Sequence, residues 1–317
     1  MGNHTMAKKQ SSIKAPQVSL AKELAKYRWI YMLAVPGLVY LLIFKYIPMY
    51  GVTVAFKDYS SRLGILQSPW VGMKHFLRLF SSRDFSILLK NTLLLNLYKI
   101  TVMTPLAMVF ALSLNAIHNV YTKRVIQTIS YFPHFLSWVV ISGITFQLFS
   151  PYSGTLNQIL IKLGMQPMTF LSNPKSFKTM LVIFGAWKEL GWASIIYLAA
   201  LSGINTELYE AAEIDGATNP RKTWHITIPA LIPTMVTLLL IDIGKIMSVG
   251  FEQVYVYLNP ILYEKGDVFA TYVYRVGLGQ GKFSYTTAVE LFNTLIGLVL
   301  LVIANKISKK MTEESLW

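Results

Sequence analysis

Of 317 residues only 14% are charged and 54% are hydrophobic, and the mean hydropathy is +0.47; a soluble domain carries roughly 25% charged residues, so lipid is the solvent these figures point to. The formal net charge of +14 does not indicate nucleic acid, because the 29 Lys and Arg flank apolar runs and form no basic cluster among stacking aromatics; membrane topology and anionic headgroups account for it. The absence of cysteine excludes disulfides, thiolate metal sites and cysteine nucleophiles.

Residues 1–28 carry Lys8, Lys9, Lys14, Lys22, Lys26 and Arg28 against one acid, Glu23. The apolar run that follows shows no A-x-A-like cleavage site, so it reads as a retained first span. Met1-Gly2 begins like a myristoylation signal, but Met6 stands where that signal needs a hydroxyl; Met6 is equally an alternative start. Over 20–28 the apolar positions alternate with Lys22 and Lys26 at helical spacing, which suits either a helix in the headgroup plane or a solvated basic tail.

The apolar runs predict an all-α, polytopic membrane protein with six transmembrane helices, over 29–48, 87–117, 125–149, 179–201, 229–250 and 286–305. The membrane-spanning core is then 29–305, and 306–317 is a tail. Pro36, Pro105, Pro133 and Pro233 fall inside these spans; carbonyls freed at each need partners on neighbouring helices, which implies a packed bundle. An even number of spans puts both ends on one side. The basic N-terminal segment marks that side as cytoplasmic, and Lys123, Arg124, Arg221, Lys222, Lys306, Lys309 and Lys310 agree. The other side also carries positive charge, at Lys57, Arg62, Lys74, Arg78, Arg83, Lys162, Lys175, Lys265, Arg275 and Lys282. Its loops are too short for a separate domain.

The most polar internal stretch lies between the fourth and fifth spans, within 204–228. It reads as two short helices in water: Asn205 or Thr206 caps the first, Glu207 suits its positive end, and Gly216 closes it in a left-handed turn. Asn219 caps the second, with Pro220 at its first position, and Pro229 marks re-entry into the membrane. Ala211 and Ala212 keep one side small enough for another protein's backbone to approach, with the Glu210 carboxylate beside them. A solvated connector with good caps accounts for the same residues.

Glu210-Ala211-Ala212, three residues, Gly216, nine residues, Ile226, one residue, then Ile228-Pro229 resembles the EAA loop of binding-protein-dependent ABC importer permeases, E-A-A-x3-G-x9-I-x-L-P, with Ile228 in place of Leu. Trp70-Val71-Gly72-Met73-Lys74-His75-Phe76 and Asn91-Thr92-Leu93 are similar to the carbohydrate branch of that family, which includes the maltose permease subunits; the overall likeness is to permeases for complex oligosaccharides such as pectin fragments or alginate. The resemblance implies a type I ABC importer permease fold in the bacterial cytoplasmic membrane. It implies a coupling loop in which Glu210, Ala211, Ala212, Asp215, Gly216, Pro220, Arg221, Ile226 and Pro229 meet a separate ATPase. Two such ATPases, a second homologous permease and an external solute-binding lipoprotein would complete the importer. A heterodimer of permeases is usual in this branch, and a homodimer is the alternative.

The chain itself is not expected to be an enzyme. Gly277-Leu278-Gly279-Gln280-Gly281-Lys282-Phe283 looks like a phosphate loop, but Val276 and Phe283 occupy the places of the Walker A Gly and Ser/Thr, and Lys282 that of the third dinucleotide Gly. It reads as a turn-rich loop, leaving ATP and Mg to the partner ATPase, with no cofactor here. His4, His75, His118, His134 and His225 show no metal-ligand spacing, and no G-x-S-x-G elbow accompanies them.

Lys90, Lys99, Lys188, Glu189, Asp242, Lys245 and Glu290 fall in or at the ends of spans, where a central charge costs roughly 2.5–3.5 kcal/mol. Asp242 and Lys245 share a helix face; Lys188 and Glu189 point about 100° apart and need other partners. One reading makes Trp187, Lys188, Glu189, Trp192, Asp242 and Lys245 a polar path, indoles stacking on sugar rings. The other makes them structural pairs and interfacial aromatics. An ion-coupled secondary transporter using these charges as a relay, and a membrane scaffold that transports nothing, are the rivals; neither explains the EAA spacing.

Overall fold

The computed structural model describes residues 26–248 and 250–312. Among them the chain is almost wholly helical, with an isolated antiparallel bridge between Lys57 and Trp70. It divides into two compact units, Met1–Val52 and Thr53–Trp317.

In the first unit α1 (Arg28–Leu41) is apolar on every side and buries no residue, as expected of a helix whose surroundings are not water. A π-turn, Leu42–Tyr46, and a short helix, Ile47–Met49, extend it. Pro48 has no N–H to give the carbonyl of Phe44 and its ring crowds that oxygen, and a widened turn just ahead of the proline relieves both. Up to residue 25, the expected interfacial segment lies outside the described residues.

In the second unit α2 (Arg83–Asn115) begins at Ser82, whose hydroxyl accepts from Asp84 N at 3.1 Å, and Asp84 suits the positive end of the helix. At 1.5 Å per residue it is about 50 Å long, more than the ~30 Å of a bilayer core. The expected span 125–149, in which Pro133 predicts a kink, is two limbs with a much sharper break than a kinked helix. Helix α3 (Val120–Tyr131), capped by Asn119, runs into a 3-10 turn at Phe132–Phe135, and α4 (Trp138–Phe149) leaves with an axis change of 103° measured between Val120–Phe135 and Trp138–Phe149. The residues explain the break. Pro133 offers no amide to the α3 ladder, and the Ser137 hydroxyl captures Val140 N at 3.3 Å, which starts a helix in a new direction. Among the described residues five helical stretches are long and apolar enough to cross a membrane, six if this bent pair is one span.

Helix α5 (Phe177–Ser202) lies along α2, and Leu95, Leu181, Val182, Phe184 and Val254 form the core between them. It also touches the end of α3 at Gly191, where an added Cβ would stand 2.2 Å from the carbonyl oxygen of Ser130. A short helix, α6 (Glu207–Ile214), follows. The fifth span runs unbroken over Asn219–Gly244, ending in α7 (Ile228–Gly244), so it starts well before the expected residue 229 and stops before 250. Leu231 on α7 packs with Tyr197, Leu201, Ala107 and Ala111. Helix α8 (Phe283–Thr312) pairs with α7 and continues past residue 305, because no Gly or Pro interrupts 298–312 and Lys309 and Lys310 suit its negative end. Between α7 and α8 come short helices Phe251–Tyr255, Tyr263–Gly266 and Phe269–Val273; the expected turn-rich loop 277–283 opens in the π-turn Tyr274–Leu278 and turns at Gly281, φ +69°.

Candidate functional site

Two places concentrate function-bearing residues. The first is the hairpin at the end of α5. Thr206 takes the cap position of α6 without a side-chain hydrogen bond; Asn205, one residue earlier, accepts from Glu207 N at 3.0 Å and donates to the Glu207 carboxylate at 3.1 Å. Gly216, at φ +72°, closes the helix: Ala217 N donates back to Ala212 O at 2.8 Å and Gly216 N to Glu213 O at 3.0 Å, the wrapped closure that a left-handed glycine permits.

The second arm differs from expectation. Thr218, not Asn219, takes the cap position of Asn219–Lys222, without a side-chain hydrogen bond, and Pro220 is the second helical residue. This arm is no separate helix in water. It continues through a π-turn, Thr223–Thr227, into α7. Pro229 sits within that continuous helix and cannot donate to His225 O, so the turn before it widens as it does before Pro48. Lys222 Nζ pairs with Glu213 Oε1 at 2.6 Å, and the Tyr209 and Thr227 hydroxyls meet at 2.9 Å, which ties the arms together.

Glu210, Ala211, Asp215, Gly216, Pro220 and Arg221 are exposed on this hairpin, and Ala212 and Ile226 are half-buried. Beside them Leu208, Ile214 and Trp224 also stand exposed, Ile214 at 88%. Large apolar side chains exposed on an otherwise polar knob make it a candidate docking surface. The motif does not contain Ile214 or Trp224; an apolar residue in so polar a stretch was the available signal.

The second place is a polar cluster where α5 passes the bend between α3 and α4. His134 donates through Nδ1 to Glu189 Oε2 at 2.7 Å, and Lys188 Nζ lies 3.3 Å from Glu189 Oε1. The ammonium also donates to the His134 carbonyl and lies 5.8 Å from the centre of the Trp138 ring. The His134 ring stacks flat on Trp192, with centroids 4.3 Å apart and planes 3° apart. Lys188 and Glu189 therefore do pair, despite their divergent directions on the helix, because the Lys188 side chain is long enough to fold back to its neighbour's carboxylate.

A cleft of about 190 Å³ opens beside this cluster, lined by Lys99, Trp138, Glu189 and Gln253 among others. Lys99 Nζ donates to Gln253 Oε1 at 2.5 Å, and Gln253 in turn donates to Leu181 O at 2.6 Å. Of the six residues expected to line a path, Lys188, Glu189 and Trp192 come together. Trp187 is 48% exposed and makes no ring contact with the cluster. Asp242 and Lys245 are exposed near the end of α7, attract each other through space and form no ion pair. His134 and Lys99 were missed as members of the cluster. Among the described residues no group of acidic or histidine side chains could hold a metal ion.

Residues 103–312 match the family model described as binding-protein-dependent transport system inner membrane component. The chain is 42% identical over 295 residues to the polygalacturonan/rhamnogalacturonan transport system permease protein YteP of Bacillus subtilis (strain 168), covering 93% of this chain and 92% of that one. It is similar in structure to a chain of a bacterial ABC transporter involved in the import of the acidic polysaccharide alginate, with a TM-score of 0.86 and 36% identity over 92% of this chain and 99% of that one. A second structure, of a bacterial alginate ABC transporter in complex with alginate pentasaccharide-bound periplasmic protein, matches with the same TM-score and identity over 94% and 99%.

Proposed function

We propose a function from one premise: the chain belongs to the binding-protein-dependent transport system inner membrane component family and is a sugar importer permease of the ABC class, a membrane component and not a catalytic subunit. On our reading it forms half of the translocation path for an acidic oligosaccharide. The observation that carries this is the extensive likeness to relatives that handle polygalacturonan, rhamnogalacturonan and alginate, three polymers built in whole or part from uronate units. The cluster of Lys99 and Lys188 with the His134–Trp192 stack supports it, since lysine ammonium groups beside stacked aromatic rings suit a sugar carrying carboxylates.

The 204–228 hairpin is then the coupling element. Glu210, Ala211, Ala212, Asp215, Gly216, Pro220, Arg221, Ile226 and Pro229 face or shape the contact with an ATPase subunit, and Leu208, Ile214 and Trp224 supply its apolar area. The second arm's continuity with the fifth span supports a mechanical role, because a push on the hairpin moves a rigid helix leading into the membrane. Two ATPases, a second and non-identical permease and a periplasmic or lipid-anchored binding protein complete the machine. Both termini and the hairpin face the cytoplasm. Within the path Lys99, Lys188, Glu189, His134 and Trp192 contact substrate; Trp187, Asp242 and Lys245, which stand apart from them, face the partner permease.

The test is uptake by the full assembly in proteoliposomes, with ATP supplied on the ATPase side. Tetragalacturonate should accumulate and a neutral tetrasaccharide should not. Glu210→Ala should abolish accumulation and release the ATPases on purification. Equal uptake of both sugars would remove the acidic-substrate reading, and full uptake by the Glu210→Ala assembly would remove the coupling role.

A further inference from the structure

A cleft of about 570 Å³ lies where the first turns of α2 and α5 meet the Tyr263–Gly266 helix. Lys90, Lys175, Lys178 and Lys265 line it, with Glu264 the lining acid. None of the four lysines forms an ion pair with a carboxylate among the described residues, and Lys90 and Lys265 are close enough to repel Lys178. With four lysines against one carboxylate the lining carries a surplus of positive charge, which an entering anion would offset.

One lysine is fixed in place. Lys178 Nζ donates to Asn91 Oδ1 at 2.8 Å. Asn91 is buried, at 3% exposure, and its Nδ2 donates to the carbonyls of Glu264 at 3.2 Å and Asp267 at 3.0 Å. An ammonium has three protons, so Lys178 keeps two for a ligand while its position is set by a side chain that cannot turn. Lysines that merely meet lipid headgroups do not need a recess of ligand size or a buried amide to orient them.

The cleft sits at the end of α5 opposite the hairpin. Lys178, Val182, Gly185 and Glu189 recur at helical spacing on one face of α5, and the last three line the cleft beside Lys99. Eleven residues of helix separate Lys178 from Glu189, a rise of about 16 Å. Buried Leu95 and Leu181 belong to an apolar core that lies between the two levels and parts them.

We propose that the Lys90–Lys175–Lys178–Lys265 cleft is an entry subsite, which binds a carboxylate of a uronate oligosaccharide before it passes the apolar core. It rests on the acidic-substrate reading and adds a binding place to it. An oligosaccharide, unlike a single sugar, can hold this cleft with one unit while another advances toward Glu189.

The test uses the full assembly in vesicles of phosphatidylcholine alone and of phosphatidylcholine with phosphatidylglycerol. Uptake of tetragalacturonate is compared with that of its methyl ester, which has lost its charges but not its length. Lys178→Gln should raise the KM for the acid about tenfold, the loss of one charge-assisted contact, with the ester's KM changed less than twofold. Lys178→Arg should retain most of the affinity. Lys90→Gln, at an exposed position, should act in the same direction even if Lys178→Gln fails to assemble. Unchanged KM in the Gln variants, or equal change for acid and ester, overturns the subsite. Loss of bound phosphatidylglycerol with no change in KM makes it a headgroup site instead. If the wild-type assembly imports no tetragalacturonate, the functional reading falls first; if it does and only the lysine variants behave as wild type, the subsite alone falls.

Discussion

Glu189 is the residue on which three others depend: Lys188 and His134 bond to its two carboxylate oxygens, and Trp192 stacks on that histidine. Glu189→Gln leaves the Lys188 ammonium, 6% exposed, without its counter-charge, and should cost about 1–3 kcal/mol, read as a lower melting temperature in detergent. Lys188→Met with Glu189→Gln removes both charges and should recover part of that loss. Uptake separates the two roles of the pair: a double variant that regains stability but not transport places these groups in the path, and one that regains both makes them structural. A second residue-scale expectation concerns pH. The hydrogen bond from Lys74 at 2.6 Å, then the charges of Lys74 and His75, hold the Asp58 carboxyl below its ordinary value. A depressed carboxylate stabilises the fold above the unfolded pKa of about 3.9 and loses that contribution as pH falls through the folded value. The melting-temperature gap between wild type and Asp58→Asn should thus hold above the unfolded value and narrow steadily as pH falls below about 4; a gap that acid leaves unchanged would show that the pair is not its source. Lys188, Glu189 and Trp192 were legible in the sequence because charge in an apolar run is conspicuous. His134 was not, since 55 residues separate it from Glu189 and only the bend at Pro133–Ser137 brings it there.

At the scale of elements that bend is the feature periodicity could not supply. An apolar count over 125–149 sees one span, because hydropathy carries no direction; the break comes from a missing amide at Pro133 and a competing cap at Ser137. The same reasoning explains the fifth span, whose polar beginning at Asn219–Lys222 looks like loop but continues a helix. The start of α6 at Asn205–Thr206 and its closure at Gly216, by contrast, were readable, since a helix end is set by adjacent residues alone. The bend is held by a contact: Gly191 on α5 lets the Ser130 carbonyl approach so closely that any Cβ would overlap backbone. Gly191→Val should push α3 away from α5, separate His134 from Glu189, and destabilise by about 3 kcal/mol or more. Cysteines at 131 and 194, whose native side chains meet across the same approach, would report the separation by cross-linking; a variant with wild-type stability and cross-linking would show that the approach is not required.

At the scale of the molecule, the charges within the bundle admit two energy sources. A relay driven by an ion gradient needs titrating groups that exchange partners across the membrane; here Glu189, Lys188 and His134 are joined in one closed cluster, and Asp242 and Lys245 stand outside it without an ion pair. An ATP-driven rocking of the bundle needs a stiff link from a motor to the membrane helices. On the proposed reading the hairpin is that link, which its geometry supports: α6 is tied to the next arm by Lys222–Glu213 and Tyr209–Thr227, and that arm is continuous with α7. Uptake by whole cells should therefore persist when an uncoupler collapses the proton gradient while internal ATP is held constant, and should stop when ATP is depleted with the gradient intact. Proteoliposomes containing the full assembly should give the same pair of results with an imposed gradient and with ATP added separately. The opposite pattern, transport that follows the gradient and ignores ATP, would make the intramembrane charges the engine and reduce the hairpin to a connector.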